Sequence, residues 1–597
     1  MTRHQESESQ APLLRQDKIP WGEILGVASL GIPFTAVWAV YNGKYLSWDM
    51  RNYEYYSVYA WLYHRVTYHI APGQLQNWIN PLVYLPHYLL INHAPPRLTG
   101  ALFGAIGGLN FILIYALTRC VVTSRGRALA AIVGLLSAAV GISGPEFLEE
   151  LGGASGDITI SILVLAALLV ICRSLRLGLT SHLASRKQDL GYALTGILMG
   201  AACGLKLTSI VYAAGLTASL IVLWQKLKFG AFRFVLYSLG GLAGFLLTGG
   251  YWSWFLWREY GNPIFPYYNE VFHSSWTESS NFRDLRFLPP NILSATSLPF
   301  QWLMGRNPTS ESPFRDVRFA LLCVLLPLSL AALLWRAWRR RSGWLADLGV
   351  RRPGILLPLV SASGPGQPPA QPRPGPDLER RVNSPCEPAN HFRHLIGRDH
   401  FALLTLFFVT SFAVWLKMFA IQRYLAPLGL ISGLLLFVLL DRLRKIAWFA
   451  ALVLFAIAWD KSFPGERFPF GRDWFGIRPI PAASLADSLF IMIGDAPIGY
   501  VVPFLPATSR VVRLNSNMPL RLDTELGHQA MEVITRHDGP IRSLGASPLT
   551  ARDRSQLSDF GLIMDQTKCE VFRSDADEFT VCPLIRMLRK VDNSRGP

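Results

Sequence analysis

Eleven apolar segments, most of them near the length that crosses a bilayer, run through the first 460 residues and constrain the fold more than any other feature. A helix needs roughly 20 apolar residues to traverse the hydrocarbon core. No water is available there to bond the backbone, so such runs have to be helical. They centre on 20–41, 99–120, 128–144, 157–172, 192–204, 207–225, 234–256, 317–336, 401–419, 424–440 and 445–459. The expectation is an all-α polytopic membrane domain of about 11 transmembrane helices. The first run is too long for a cleavable signal and lacks its small-residue site. The pair 192–204 and 207–225 is short, and its junction Gly204-Leu205-Lys206 puts a charge at membrane depth unless the helix breaks there.

Only 16% of residues are charged, against about 25% in a soluble chain. The net charge of +17 does not point to nucleic acid, because the Lys and Arg sit in short loops between apolar runs. Those loops set the orientation. Arg119 to Arg127, Arg173 to Lys187, Lys226 to Arg233, Arg336 to Arg341 and Arg442 to Lys445 all fall on one side. The positive-inside rule makes that side cytoplasmic. The N-terminal tail, 1–18, is then inside. The other side receives 42–98, 145–156, the region around Lys206, 257–315, Gln422-Arg423 and the chain after about Asp460.

These boundaries give a membrane domain over 19–460 and a small α/β domain over 461–597, outside the membrane. In the latter, Leu489–Ile493 and Gly499–Pro503 look like buried strands, and Asp523–Arg536 looks like a helix capped by Asp523. In an oxidising compartment Cys569 and Cys582 are placed to close a loop across two strands. The other cysteines at 120, 172, 203 and 323 lie in or beside apolar runs, and no pair has metal-ligand spacing. The inner insertion 342–399 contains SASGPGQPPAQPRPGP and reads as a disordered Pro-rich linker.

Candidate chemistry concentrates in the outer loops. The first, 42–98, opens with SWDMRNYEYYSVYAWLYHR and continues with QLQNWINPLVYLPHYLL. Both parts read as aromatic, amphipathic interfacial segments. Asp49 there is either a reactive carboxylate or the cap of the helix that follows. The second loop, GPEFLEELGGASGD, packs Glu146, Glu149, Glu150 and Asp157 into a short span. Ionisable groups at a membrane boundary mark sites, though a solvated acidic loop with Asp157 as a cap reads equally. Lys206 and Arg423 are cations on the same side, suited to a phosphate, or else a snorkelling lysine and a surface arginine. The loop REYGNPIFPYYNEVF is a rigid turn hugging the membrane.

Taken together, Asp49, the Glu149, Glu150 and Asp157 carboxylates, GLKLTSIVYA at 204–213, GNPIFPYYN at 261–269 and QRYLAPL at 421–427 resemble the GT-C superfamily of membrane glycosyltransferases. The likeness extends over nearly the whole layout. It implies a polyprenyl-phosphate sugar donor, a glycan, lipid or protein acceptor, and an inverting transfer on the periplasmic face of a bacterial inner membrane. Asp49 would be the base, and Lys206 and Arg423 would bind the donor phosphate. Glu149, Glu150, Asp157, Arg51, Asn80, Asn262 and Tyr267 would contact substrate. No cofactor is implied, and a divalent metal in the second loop is possible but not indicated. The second loop lacks the adjacent Asp-Glu pair of the protein O-mannosyltransferases, and no DxD sugar-nucleotide signature appears within the membrane domain, 19–460.

Two other readings stand beside this one. An O-antigen ligase or polymerase would use the loop 257–315, with His273, Arg283, Arg286 and Arg315. A transporter would use the broken helices at 192–225, with Lys206 as a substrate or ion site.

Overall fold

The computed structural model describes residues 19–122, 126–177, 182–348, 388–440, 466–478, 485–514, 517–518 and 520–587. Seven of its helices are long and apolar enough to cross a membrane: Trp21–Asn42, Pro96–Val121, Gly156–Leu175, Ala231–Tyr260, Arg318–Trp335, Arg398–Met418 and Gln422–Leu440. Two shorter apolar helices, Arg127–Ile142 and Leu207–Val222, fall on further expected crossings. The run 192–204 lies within the helix His182–Leu205. The run 445–459 lies outside the described residues. The chain is therefore a multi-pass membrane protein.

Helices in lipid associate through close packing rather than water exclusion, so small residues line their contacts. Helix Trp21–Asn42 buries Val27, Gly31, Thr35 and Ala39, one residue per turn. It presents Leu25, Leu30, Phe34 and Val37 outward. Opposite that stripe, a Cβ on Gly104 would lie 2.6 Å from the Thr35 carbonyl oxygen, and one on Gly108 would lie 2.7 Å from the Ile32 Cα. The pair His182–Leu205 and Ala231–Tyr260 is tighter still. A Cβ on Gly200 would sit 1.9 Å from the Gly241 carbonyl oxygen, and one on Gly244 would sit 2.0 Å from that of Ile197. Only glycine permits these approaches.

The break anticipated at Lys206 is present. Helix His182–Leu205 stops, Lys206 is extended (φ −146°, ψ 110°), and a 3₁₀ turn Leu207–Ser209 starts the next helix. The Asn80 side-chain amide donates to the carbonyls of Gly204 and Thr248, both at 2.8 Å. These bonds pin the break to the first outer loop and to a π-turn, Leu246–Gly250, in the neighbouring span.

Two expectations for other segments are corrected. The insertion 342–399 is not disordered throughout, because helices Arg318–Leu348 and Pro388–Met418 extend into it from both ends. The second half of the first outer loop is not one interfacial helix. Pro72, Pro81 and Pro86 divide it into 3₁₀ turns at Gln74–Trp78 and Pro81–Tyr84 and a helix Leu85–His93.

The C-terminal sheet has the order β2-β1-β3-β6-β4, with β5 also on β6. Its strands are β1 (Leu489–Met492), β2 (Arg510–Arg513), β3 (Ile541–Ala546), β4 (Leu562–Met564), β5 (Glu570–Arg573) and β6 (Glu578–Arg586). The strands β1, β2 and β3 are parallel, and the contacts of β6 are antiparallel. Gly499–Phe504 is a 3₁₀ turn rather than a strand, with Pro503 inside it. The helix Glu525–Arg536 is capped by Thr524, which accepts from the Gly527 amide, and not by Asp523. Asp523 instead pairs with Arg521 at 2.9 Å. Cys569 and Cys582 form a disulfide where β5 and β6 face each other.

The sheet is not finished by its own domain. At its β2 edge, Ile70 of the first outer loop forms a parallel bridge to Val512. The Ile70 amide donates to Val511 O, and the Arg513 amide donates to Ile70 O, both at 2.9 Å. The Val511 amide donates to His69 Nδ1 at 3.1 Å. A segment made early in the chain thus covers an edge that would otherwise expose unpaired backbone groups.

Candidate active site

Asp49 follows directly on the first span. Gly43 turns the chain with φ 90°, Lys44 pairs with Phe468 in an antiparallel bridge, and helical structure resumes at Trp48. Ser47 is the residue that caps it: its hydroxyl accepts from the Met50 amide at 3.1 Å and its carbonyl accepts from Arg51 at 3.0 Å. The Asp49 side chain makes no cap bond. It is buried, and its carboxylate lies 2.8 Å from Arg423 Nη1. Arg423 projects from the 3₁₀ turn Gln422–Leu425 at the head of a span, so the first outer loop and a late helix meet in this ion pair.

A second pair stands beside the first. Lys206 Nζ lies 2.7 Å from Asp157 Oδ2, both buried. The Tyr424 ring links the two, with Lys206 Nζ 5.3 Å and the Arg423 guanidinium 5.4 Å from its centroid. Cations over an aromatic face are held by its quadrupole.

Glu54 joins this group through an irregularity of the backbone. Met50–Glu54 form a π-turn, in which residues five apart come to the same face, so Glu54 follows Asp49 onto one side. Glu54 is 1% exposed, and among the described residues neither of its carboxyl oxygens has a hydrogen-bond partner. Burial holds its carboxyl well above the ordinary range, and the negative charge of Asp49 adds to that; Lys206 and Arg423 pull the other way. Glu150 is raised by burial and by Asp157, again opposed by Lys206 and Arg423. The centre thus combines two ion-paired carboxylates, two cations and two carboxyl groups that resist ionisation.

The remaining residues singled out from sequence are dispersed around it. Glu149 accepts from Tyr45 Oη at 3.0 Å and from Ser312 Oγ at 2.8 Å. Arg51 points away, to Asp577 at 2.7 Å. Asn80 holds the helix break. Asn262 closes its own turn, accepting from Ile264 N and donating to Tyr267 O, both at 3.0 Å. Tyr267 is close enough for the charges of Tyr424 and Asp49 to help burial raise its hydroxyl.

Sequence reasoning passed over Glu54, Tyr53, Tyr84 and Tyr424. Tyr53 and Tyr84 hydroxyls lie 3.4 Å apart, and burial with the nearby Asp49 raises Tyr53. It also passed over the role of Glu146, which accepts from Arg318 Nη2 at 2.6 Å and from Gln422 Nε2 at 3.1 Å. Arg318 also binds Asp316 at 2.7 Å and the carbonyls of Gly141 and Gly429. This buried network fixes Gln422, and with it the turn that carries Arg423. Among the described residues no group of three or more His, Cys, Asp or Glu side chains is arranged to hold a metal ion.

No family model matches the chain, and no curated protein matches it in sequence. Among solved structures it is similar to ArnT from Cupriavidus metallidurans bound to undecaprenyl phosphate, with 15% identity and a TM-score of 0.38, over 73% of this chain and 62% of that one. The chain thus spans less than two thirds of the length of that protein. It is also similar to the archaeal oligosaccharyltransferase AglB from Archaeoglobus fulgidus in complex with an inhibitory peptide and a dolichol-phosphate. There the identity is 12% and the TM-score 0.39, over 88% of this chain and 69% of that one. TM-scores this low do not establish a common fold, so the functional reading rests on the chain's own residues.

Proposed function

We propose that the protein is a GT-C-type membrane glycosyltransferase, moving a sugar from a polyprenyl-phosphate donor to an acceptor hydroxyl with inversion. The observation that carries this reading is the Asp49–Arg423 pair standing beside Lys206–Asp157. One carboxylate able to take a proton adjoins two cations able to hold a phosphate.

Asp49 removes the acceptor hydroxyl proton. The acceptor oxygen bonds to the anomeric carbon as that carbon's bond to the phosphate oxygen breaks, and the electron pair leaves with the phosphate. A positioned base contributes roughly 10²- to 10⁴-fold. Much of the rest comes from charge stabilisation where negative charge grows on the departing phosphate. As Asp49 takes the proton it becomes neutral and loosens its hold on Arg423, whose planar fork then suits the phosphate. Glu149, Glu150 and Asp157 orient substrate hydroxyls. Burial, which raises the Glu54 carboxyl, works against a competing negative charge next to an anionic donor.

The same reading divides the chain into a membrane domain over 19–460 and an outer domain over 461–597. It puts the chain in a bacterial inner membrane with the N-terminus cytoplasmic and the site periplasmic. Against a ligase or polymerase, Arg283 donates to backbone carbonyls at 417 and 418, and Arg286 pairs with Asp284 at 2.8 Å, so both are engaged locally. Against a transporter, the ionisable groups gather at helix ends and loops rather than within spans.

The test is transfer from radiolabelled polyprenyl-phosphate sugars in proteoliposomes, comparing wild type with Asp49→Asn. Loss of transfer in a folded, inserted variant supports the reading. Transfer unchanged by the substitution removes Asp49 from the mechanism, and no transfer by wild type from any donor removes the activity.

A further inference from the structure

The segment that carries Asp49 is gripped from the outer domain on both sides of that residue. Lys44, five residues before it, is fully buried and forms an ion pair with Asp575. Arg51, two residues after it, pairs with Asp577 at 2.7 Å. Both acids sit in the tip of the β5–β6 hairpin, between Arg573 and Glu578. The tip is hydrogen-bonded in its own right. The Ser574 amide donates to Asp577 O at 2.8 Å, and Tyr500 Oη lies 2.8 Å from Asp577 Oδ2 and 2.6 Å from Ser574 Oγ. The Asp575 amide donates to Phe475 O at 2.8 Å. At the other end of the hairpin Cys569, just before β5, is bonded to Cys582 on β6.

Nothing in the proposed chemistry uses Asp575 or Asp577, yet an acid of the hairpin tip is ion-paired on each flank of the reactive carboxylate. We infer that Asp575 and Asp577 are positioning residues: the hairpin tip, closed at its base by the Cys569–Cys582 bond, holds the Lys44–Arg51 segment so that Asp49 stays in register with Arg423. The inference rests on the reading of Asp49 as the base. A base displaced by about 1 Å loses on the order of 10²-fold in rate, so a clamp acting through two ion pairs is a means of fixing that distance. It also makes the outer domain part of the active centre rather than a lid above it.

The experiment uses the full chain in proteoliposomes, with two readouts. In the Asp575→Asn/Asp577→Asn double variant, kcat falls by about tenfold or more while KM for the lipid-linked donor is unchanged. The single variant Asp577→Glu, which keeps the charge, recovers most of the rate. In the second readout, amide exchange over 44–54 quickens in the double variant and in wild type treated with dithiothreitol, while exchange over 525–536 stays as before. A shift in KM alone, or exchange over 44–54 that is the same in all samples, overturns the clamp. Exchange needs no turnover. If wild type transfers no sugar, the transferase reading fails, and the exchange over 44–54 still decides for or against the clamp.

Discussion

Arg423 contacts Asp49 through one nitrogen, Nη1, at 2.8 Å. The rest of its guanidinium faces the Tyr424 ring and leaves side-chain surface 31% exposed. One nitrogen of the fork therefore holds the carboxylate, while part of the side chain stays open to solvent.

This division predicts different costs at the two ends of the pair. Asp49→Asn keeps the shape and loses the proposed base, so kcat should drop by roughly 10²- to 10⁴-fold. Arg423→Lys keeps the charge and loses the fork. It should weaken donor binding as well as kcat, since a lysine cannot span carboxylate and phosphate together. Steady-state kinetics on a single lipid donor separates the two patterns.

Glu54 and Asp49 should respond oppositely to amide substitution. Burial and the charge of Asp49 raise the Glu54 carboxyl well above its ordinary range, so Glu54→Gln, which mimics the protonated form, should be tolerated. Transfer at pH 7 should stay within about twofold of wild type. A collapse matching that of Asp49→Asn would show that Glu54 works as an anion.

His69 should make the outer assembly sensitive to acid. Burial, with the charges of Arg65 and Arg510, lowers its pKa to about 3, and its Nδ1 accepts from the Val511 amide. An unfolded chain takes up this proton below about pH 6.5, whereas the folded one resists until about pH 3. Stability is therefore full above pH 6.5 and falls as pH drops below it, by up to about 1.4 kcal/mol per pH unit. His87, buried against Phe103 and Trp474 and also lowered to about 3, adds in the same direction. Melting temperatures in detergent at pH 7.5, 6.5 and 5.5 should show the fall, and His69→Gln should make it shallower.

The glycine contacts give a prediction about packing. Gly200→Val and Gly244→Val force a side chain into a backbone less than 2.1 Å from where its Cβ would stand. Each should cost at least about 1–3 kcal/mol. Gly22→Ala, with nothing within 4 Å of its Cβ, should be neutral or slightly stabilising. Thermal aggregation of the purified variants reads the difference.

How far the sequence discloses this arrangement depends on the range of the forces involved. Crossings are legible because bilayer thickness fixes a run length, and the shared side of the outer loops is legible because basic residues recur in alternate connections. Asp49 stands out by its position after the first span. Glu54 does not, because helical periodicity of 3.6 puts Tyr53, not Glu54, over Asp49, and only the extra residue of the π-turn shifts the register. Gly499–Pro503 reads as a strand from its Tyr-Val-Val composition, but Pro503 and a tight turn decide otherwise. Thr524 and Asp523 are both good caps, and which of them caps depends on Arg521 holding the aspartate. The pairing of Arg51 with Asp577 joins residues 526 apart, a separation that no local pattern reports.

The bridge from Ile70 to β2 also sets an order of events during synthesis. His69 and Val511 are 442 residues apart, and at about 5–20 residues per second the loop is made roughly 20–90 s before the strand it will accompany. Through that interval Tyr55 lacks its C-terminal partners Phe475 and Phe504, and aromatic rings favour the boundary between lipid headgroups and water. The membrane surface can shelter them while translation proceeds. The bridge from Ile70 closes only once β2 has been made, so assembly of this half is a late event rather than the folding of a separate appendage.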